Sequence, residues 1–84
     1  MAYRIELKTS VNKDFRPIPS QDIERIISKI DSLATDPRPA GASKLVGTQA
    51  WRVRTGNYRI IYQIDEQTQS ITIIKIGHRN AVYR

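Results

Sequence analysis

The 84-residue sequence contains no cysteine and no long uninterrupted apolar segment. Without cysteine the protein can build neither a disulfide framework nor a thiolate zinc site. No apolar run approaches the roughly 20 residues that a membrane-spanning helix needs. The N-terminal stretch MAYRIELKTS alternates charged with apolar residues, whereas a signal peptide has a continuous apolar core. We therefore expect a cytoplasmic protein that does not enter a membrane.

Acidic residues are scarce in the second half of the chain. The net charge is +6, but residues 1–43 hold seven Lys/Arg and six Asp/Glu, whereas residues 44–84 hold seven and two. The two acids, Asp65 and Glu66, lie at a predicted turn and do not form the carboxylate cluster of a two-metal nuclease. We expect no metal and no other cofactor. The basic excess predicts a polyanionic partner such as a nucleic acid.

Apolar periodicity in the first half predicts one strand followed by two helices. Residues 3–8 alternate apolar with charged side chains, as in a strand with one buried face. A short helix follows, which Thr9 or Ser10 caps and two prolines end. Ser20 caps a second helix, in which apolar residues recur every three or four positions. Its predicted core stripe consists of Ile23, Ile26, Ile27, Ile30, Leu33 and Ala34.

The second half predicts strands and turns. A loop leads to a short strand near Lys44 and Leu45, and three longer strands follow. The predicted fold is α+β: an N-terminal strand, a two-helix hairpin and then a mainly antiparallel β-meander. We expect a single domain over residues 1–84, because no linker or repeat interrupts the chain.

The stretch WRVRTGNYRIIYQID, residues 51–65, predicts a β-hairpin that carries opposed arginines. Gly56-Asn57 suits a two-residue loop, since both residues tolerate positive φ. Arg54 then faces Arg59, and like charges directly opposite each other destabilise a sheet. The predicted core face of the hairpin consists of Trp51, Val53, Tyr58, Ile60, Tyr62 and Ile64.

The last predicted strand, SITIIKIGHR, is apolar on both faces and is therefore expected at the centre of the sheet. Its alternation puts Lys75 and Arg79 on one face and Ile76 and His78 on the other. We expect a shallow basic surface on the open side of the sheet, made by Arg52, Arg54, Arg59, Lys75 and Arg79. Arginine forks suit phosphate oxygens and can stabilise the extra charge of a phosphorane, but a permanently charged group is a poor base.

The run SKLVGTQAWRVRTGNYRIIYQID, followed by IGHRNAVYR, resembles the RelE-like toxins of the RelE/ParE superfamily, which belong to type II toxin–antitoxin systems. MAYRIEL and the DPRP before KLVG extend the resemblance over essentially the whole chain. It implies the RelE/ParE toxin fold, which is similar to that of microbial ribonucleases. It also implies an endoribonuclease that cuts mRNA in the ribosomal A site by 2′-hydroxyl attack without metal. The implied partners are the ribosome, mRNA and a cognate antitoxin that blocks the toxin.

Position by position, the resemblance implies a set of catalytic residues. Arg52 and Arg54 match a basic pair, often lysines, of which one transfers a proton. Arg59 matches an arginine that stabilises the transition state. Arg79 matches a basic residue implicated in phosphate binding or leaving-group protonation, and Tyr83 matches a tyrosine that stacks on or orients the cleaved nucleotide. The pKa of an arginine at position 54 is far too high for easy deprotonation, so the general base is unassigned.

Three further residues are expected near RNA: Lys44, Lys75 and His78. His78 is the only histidine and an alternative base, but strand alternation points it toward the helices, where a structural role is the ordinary outcome. Val46 replaces an arginine that some relatives carry, which predicts a weaker grip at that edge.

Two other function classes are compatible with the sequence. ParE-like toxins share the scaffold but poison DNA gyrase by binding, and they lack the nuclease residues. A non-catalytic module would bind only nucleic acid or its partner. The combination of Arg59, Arg79 and Tyr83 favours the nuclease.

Overall fold

The computed structural model describes residues 2–78. A five-stranded sheet has the strand order β1-β5-β4-β3-β2. β1 runs parallel to β5, and the other neighbouring strands are antiparallel, so the predicted α+β fold with a mainly antiparallel sheet is confirmed. The elements in chain order are β1 (Arg4–Leu7), α1 (Val11–Phe15), α2 (Ser20–Leu33), β2 (Ser43–Lys44), β3 (Ala50–Thr55), β4 (Tyr58–Asp65) and β5 (Ser70–His78).

The two helices cover one face of this sheet, as the amphipathic pattern predicted. Ile26, Ile30 and Leu33 of α2 are buried in one cluster with the inward residues of β3, β4 and β5. Ile27 is 40% exposed, so its assignment to the core was wrong. A helix turns about 100° per residue, so the Ile27 side chain points about 100° away from that of Ile26. Ile27 therefore lies at the margin of the apolar stripe, and Ile26 lies near its centre. Over residues 2–78, neither helix has the length and apolar character to cross a membrane.

The start of α2 also differs from the prediction. Ser20 is the first helical residue rather than its cap, and Pro19 occupies the capping position. Its carbonyl accepts hydrogen bonds from the backbone amides of Asp22 and Ile23, both at 3.0 Å. The fixed φ of proline favours this turn, so the helix begins without a side-chain cap.

The hairpin loop between β3 and β4 has the predicted two residues. Thr55 pairs with Tyr58 and Arg54 with Arg59. Gly56 adopts φ +59°, while Asn57 stays out of the positive-φ region. Positive φ at the first loop residue alone is the pattern of a type II′ turn, whose twist matches that of the strands. The two opposed arginines are thus fixed in register by the loop.

A β-bulge explains why β5 is apolar at consecutive positions. Ile61 of β4 pairs with Lys75, whereas the next residue, Tyr62, pairs with Ile73. Ile74 is therefore an extra residue, and it reverses the alternation of β5. Ile73 and Ile76 both face the helices and are at most 1% exposed. The strand was expected to be central or well covered, and β5 is indeed an interior strand between β1 and β4, although β4 is the middle strand of the five.

The short strand β1 leaves the last part of β5 without a neighbouring strand, and α1 covers it. Asp14 Oδ2 accepts a hydrogen bond from the backbone amide of Ile76 at 3.0 Å, and Asp14 Oδ1 lies 3.3 Å from Lys75 Nζ. The Asp14 side chain is only 12% exposed. A carboxylate from α1 thus satisfies an edge amide that a longer β1 would otherwise pair with.

Candidate nucleic-acid interface

The open face of the sheet brings three arginines together. Arg52 lies opposite Ile61, Arg54 lies opposite Arg59, and Arg59 is followed across the sheet by Gly77. Directly opposed side chains begin about 5 Å apart at their Cβ atoms. Arg54 is exposed, whereas Arg52 and Arg59 are half-buried. The predicted juxtaposition of Arg54 and Arg59 is confirmed.

An apolar residue lies between these cations. Ile61 points to the open face, between Arg52 on β3 and Lys75 on β5, and yet it is only 5% exposed. Long side chains such as Arg52 and Lys75 flank it in the register, and their aliphatic parts can shield an apolar neighbour from water. Arg52 is oriented further by a hydrogen bond of 3.1 Å from its Nη2 to Ser43 Oγ. This hydrogen bond restricts the rotamers of Arg52 before any ligand binds.

Lys75 occupies the margin of this surface. Its register places it on the open face opposite Ile61, but its ammonium group reaches the strand edge and pairs with Asp14. More than half of the Lys75 side chain is exposed. Its charge is therefore partly compensated by the carboxylate of Asp14.

His78 lies on the helix side of the sheet, as alternation predicted. It pairs with Tyr58, and the two rings meet edge to face at 5.7 Å. The Tyr58 hydroxyl donates to Asp22 Oδ2 at 3.3 Å. Burial, followed by the charge of Asp22, raises the pKa of Tyr58. His78 and Tyr58 line a cavity of about 410 Å³ together with Ile18, residues of α1 and Lys75 at the edge of β5, and none of the three arginines belongs to its lining.

Lys44 is likewise not grouped with the arginines. It pairs with Trp51, a residue of the core face, and therefore belongs to the helix side at the outer strand β2. Arg79 and Tyr83 lie outside the described residues. Of the predicted site, the structure thus places Arg52, Arg54, Arg59 and Lys75 on one face and Lys44 and His78 on the other.

Asp14 is the residue at this interface that sequence reasoning missed. It holds the part of β5 from which Lys75 and His78 project, through contacts with residues 61 and 62 positions away. Nothing in the local pattern of a five-residue helix distinguishes this carboxylate from an ordinary surface acid. Asp14 acquires its role only because β1 ends before it could pair with the Ile76 amide of β5.

The chemistry of this face follows from the opposed arginines. Two guanidinium groups facing one another repel, and an anion between them removes that repulsion while accepting paired hydrogen bonds. A phosphate that gains negative charge in a reaction is stabilised most, because the donors are already in place. The arrangement therefore suits phosphate binding and transition-state stabilisation.

Comparison with known proteins places this chain in a family. Residues 5–83 match the family model described as the ParE toxin of the type II toxin–antitoxin system parDE. The chain is 26% identical to Toxin RelG of Mycobacterium tuberculosis, covering 100% of this chain and 99% of the relative. It is 28% identical to the putative toxin RelE1 of Methanocaldococcus jannaschii, with coverage of 100% and 98%.

Solved structures agree with the sequence relatives. The toxin of the archaeal RelE–RelB complex from Pyrococcus horikoshii superposes with a TM-score of 0.84 at 30% identity, covering 98% of this chain and all of that one. The RelBE2 toxin–antitoxin complex of M. tuberculosis gives the same TM-score at 21% identity, with coverage of 94% and 100%. The fold is that of these toxin structures. The chain belongs to the RelE/ParE toxin superfamily and is a RelE-like member of it.

Proposed function

We propose that this toxin is a ribosome-dependent endoribonuclease that cuts mRNA without a metal ion and so stops translation. The observation that carries the proposal is the fixed opposition of Arg54 and Arg59 on the open face. A protein that gained nothing from this repulsion would be more stable without it. A bound phosphate group is the partner that converts the repulsion into affinity.

The proposed reaction is an intramolecular transesterification. The 2′-oxygen loses its proton and bonds to the adjacent phosphorus, the bond to the 5′-oxygen breaks, and that oxygen takes up a proton. The products are a 2′,3′-cyclic phosphate and a 5′-hydroxyl. Arg59, with Arg54 opposite, stabilises the charge that accumulates on the phosphorane. Arg52, held by Ser43, binds the neighbouring phosphate.

The proton transfers are assigned less directly. A guanidinium group is a poor general base, so none of the three arginines is assigned to take up the 2′-proton. His78 lies on the other side of the sheet, next to Tyr58, which supports a structural role rather than the abstraction of the 2′-proton. We retain Arg79 and Tyr83, from the family resemblance, as the proposed groups at the leaving oxygen and the nucleotide base.

The rival function is gyrase poisoning. It is supported by the family model, which carries the name of the ParE toxins. The relatives named RelG and RelE1 and the RelE structures support the nuclease instead. A module that only binds is the third class, and it requires no chemistry from the opposed arginines.

Induced expression followed by mapping of transcript 5′ ends distinguishes the three. New 5′ ends inside coding regions on ribosomes are the expected result. In a purified translation system, cleavage should persist in EDTA when another polycation keeps ribosomes intact, and it should vanish on ribosome-free RNA. Intact messages with altered plasmid supercoiling would establish the gyrase reading. Intact messages with normal supercoiling would leave the binding module.

We also propose a cognate antitoxin, encoded beside the toxin, that covers the basic face with a helical, acidic segment or displaces the C-terminal region around Tyr83. The support is that similar toxins were solved in complexes with RelB. Uncovered, the excess of cations over residues 44–84 would bind RNA without specificity. Hydrogen exchange on the complex should show protection between Trp51 and Arg84, and an unchanged exchange pattern there would contradict the proposal. Because the proposed targets are ribosomes and mRNA, the proposed location is the cytoplasm.

A further inference from the structure

The outer edge of β3 is only half covered by β2. The pairs Ser43–Arg52 and Lys44–Trp51 are the whole of their ladder. The Leu45 amide donates to the Ala50 carbonyl at 2.9 Å, so the backbone of Ala50 points outward, toward β2. In an antiparallel ladder this direction repeats every second residue, and the backbone groups of Arg54 therefore also point outward. β2 does not extend that far, and within residues 2–78 no other strand pairs with this edge.

A groove of about 370 Å³ runs beside this exposed edge. Its lining consists of Lys29, Ala40, Gly41, Arg52, Val53 and Arg54. Ala40 contributes little bulk, and a Cβ added to Gly41 would meet nothing within 4 Å. The loop after α2 thus passes the edge without filling the space that a further strand requires.

Cations flank the groove on both sides of the sheet. Arg52 and Arg54 project on the open face, and Lys29 of α2 borders the groove from the helix side. One helical turn earlier, the guanidinium of Arg25 lies 4.0 Å from the position of a Cβ on Gly56, at the end of the hairpin. The groove lining contains no acid. A segment lying along this edge would meet positive charge on both of its faces.

The opposite edge of the sheet is different. β1 carries the salt bridge between Arg4 and Glu6 at 2.9 Å, so its charges compensate each other. A strand added at the β1 edge would therefore meet no excess of positive or negative charge. Pairing of two copies at the β3 edge is disfavoured for the opposite reason, since it would bring cations against cations. Charge therefore selects the β3 edge and a negatively charged occupant.

We propose that the outer edge of β3 binds an acidic, extended segment of a partner protein as an added strand. An extended peptide supplies both the acceptor for the Arg54 amide and the donor for its carbonyl, whereas a phosphate backbone supplies no donor. Side chains of an added strand alternate between the two faces of the sheet. Acidic residues that point to the open face would meet Arg52 and Arg54, and those that point to the helix side would meet Lys29. The inference deepens the proposed antitoxin partnership and rests on it for the source of the segment.

The backbone part of this proposal is tested by nuclear magnetic resonance with a synthetic probe. The probe is an acetylated nine-residue peptide in which glutamates alternate with valine and threonine. Its control carries N-methyl groups on alternate residues, which remove the amide donors of one edge but no charge. We expect the peptide to shift the amide resonances of residues 52–55 and N-methylation to weaken binding at least about tenfold. Equal binding of both peptides, shifts centred on Arg4–Leu7, or no shifts at millimolar peptide would overturn the proposal.

The charge part is tested with two variants of equal net charge. Lys29→Glu reverses the helix-side cation of the groove, and Lys8→Glu makes the same change at the far edge of the sheet. We expect Lys29→Glu to weaken peptide binding about tenfold more than Lys8→Glu at low salt. Lys29→Gln replaces Lys29→Glu if thermal melts show that the reversal unfolds the protein. Equal effects of the two sites would overturn the proposal, as would an oligouridylate that shifts the same amides with the same dependence on Lys29.

Cleavage assays keep this inference separate from the proposed function. Lys29 lies outside the proposed nuclease residues, so Lys29→Glu should still cut mRNA on ribosomes while losing the peptide. A wild type that binds the peptide but cuts no mRNA would refute the nuclease and leave the docking edge intact. A Lys29→Glu variant that keeps the peptide affinity of the wild type would refute peptide binding at the β3 edge and leave the proposed nuclease function untouched.

Discussion

The two faces of the sheet divide the tasks of this small protein. On β4, Ile60 and Tyr62 are fully buried under the helices, whereas their half-buried neighbour Arg59 lies on the face that neither helix covers. Each fully buried aliphatic side chain contributes roughly 1.5–3 kcal/mol of transfer free energy to folding. The opposed arginines contribute repulsion instead. The buried side chains that stabilise the fold therefore lie on one face, and the anion site that we propose lies on the other.

The largest effect should come from the covered face. Ile60→Ala removes a fully buried side chain from the centre of the core, and such truncations cost about 2–5 kcal/mol. We expect the urea midpoint to fall by a corresponding amount, while the cleavage rate per folded molecule changes little. Ile60→Val, expected to cost about 0.5–1.5 kcal/mol, keeps the comparison possible if the alanine variant does not fold. A large loss of cleavage by folded Ile60→Val would contradict the division.

Arg59→Gln should show the reverse pattern. The variant keeps a long polar side chain but removes the repulsion with Arg54, so stability at low salt should stay equal or rise by up to about 1 kcal/mol. Cleavage on ribosomes should fall by about two orders of magnitude, as when a charge donor to a transition state is deleted. Transcript mapping and thermal melts on the same preparation give both values. Lost stability with near-normal cleavage would make Arg59 a structural residue.

Inorganic phosphate supplies a control for that variant that does not depend on catalysis. If Arg54 and Arg59 form an anion site, phosphate should raise the melting temperature of the wild type more than that of Arg59→Gln. Sodium chloride at equal ionic strength accounts for screening. Equal shifts in the two proteins would show that the opposed arginines hold no anion.

Most of the fold could be predicted because its signals are local. The periods of two and about 3.6 identified the strands and the long helix, and the Gly56-Asn57 loop set the register that opposes Arg54 to Arg59. The bulge at Ile74 escaped, because an extra residue in an apolar strand leaves the composition unchanged. The consecutive apolar residues that the bulge produces in β5 were therefore interpreted as a strand buried on both faces.

The candidate site was predicted less completely, for a physical reason. Alternation assigns a side chain to a face but does not show where a long side chain ends. Lys75 was assigned to the open face, but its ammonium group pairs with Asp14 of α1. Lys44 lies on a two-residue strand, and only its pairing with Trp51 reveals which face it occupies.

Asp14 contacts the edge of β5, between the two faces of the sheet, and its replacement should have an effect of intermediate size. Asp14→Ala removes the acceptor of the Ile76 amide at a nearly buried position, and an unsatisfied buried donor costs about 1–3 kcal/mol. Asp14→Asn retains an acceptor oxygen and should cost less. Urea unfolding measures both, and Lys75→Gln serves as control because it removes the ion pair but not the amide contact. Equal stability of Asp14→Ala and the wild type would mean that water replaces the carboxylate at the edge of β5.

The smallest effect is expected at high pH, from the polar end of a core side chain. Tyr62 is fully buried and its hydroxyl donates to the Pro37 carbonyl at 2.8 Å. Burial raises the pKa of Tyr62 to about 12, against an ordinary value near 10. A raised pKa means that the folded state favours the neutral phenol. Its contribution to stability is therefore complete below about pH 10 and is lost as the pH rises toward about 12.

Tyr62→Phe isolates this contribution. At neutral pH the variant should lose about 0.5–1.5 kcal/mol, the usual net value of one hydrogen bond. Between about pH 10 and pH 12 the urea midpoint of the wild type should fall more steeply than that of the variant, because only the wild type must ionise this phenol on unfolding. All other titrating groups are common to both proteins, so they cancel in the difference. Parallel pH profiles of the two proteins would mean that the Tyr62 hydroxyl reaches solvent in the folded state. Water would then enter the core near Pro37, in contrast to the full burial of Tyr62 in the structure.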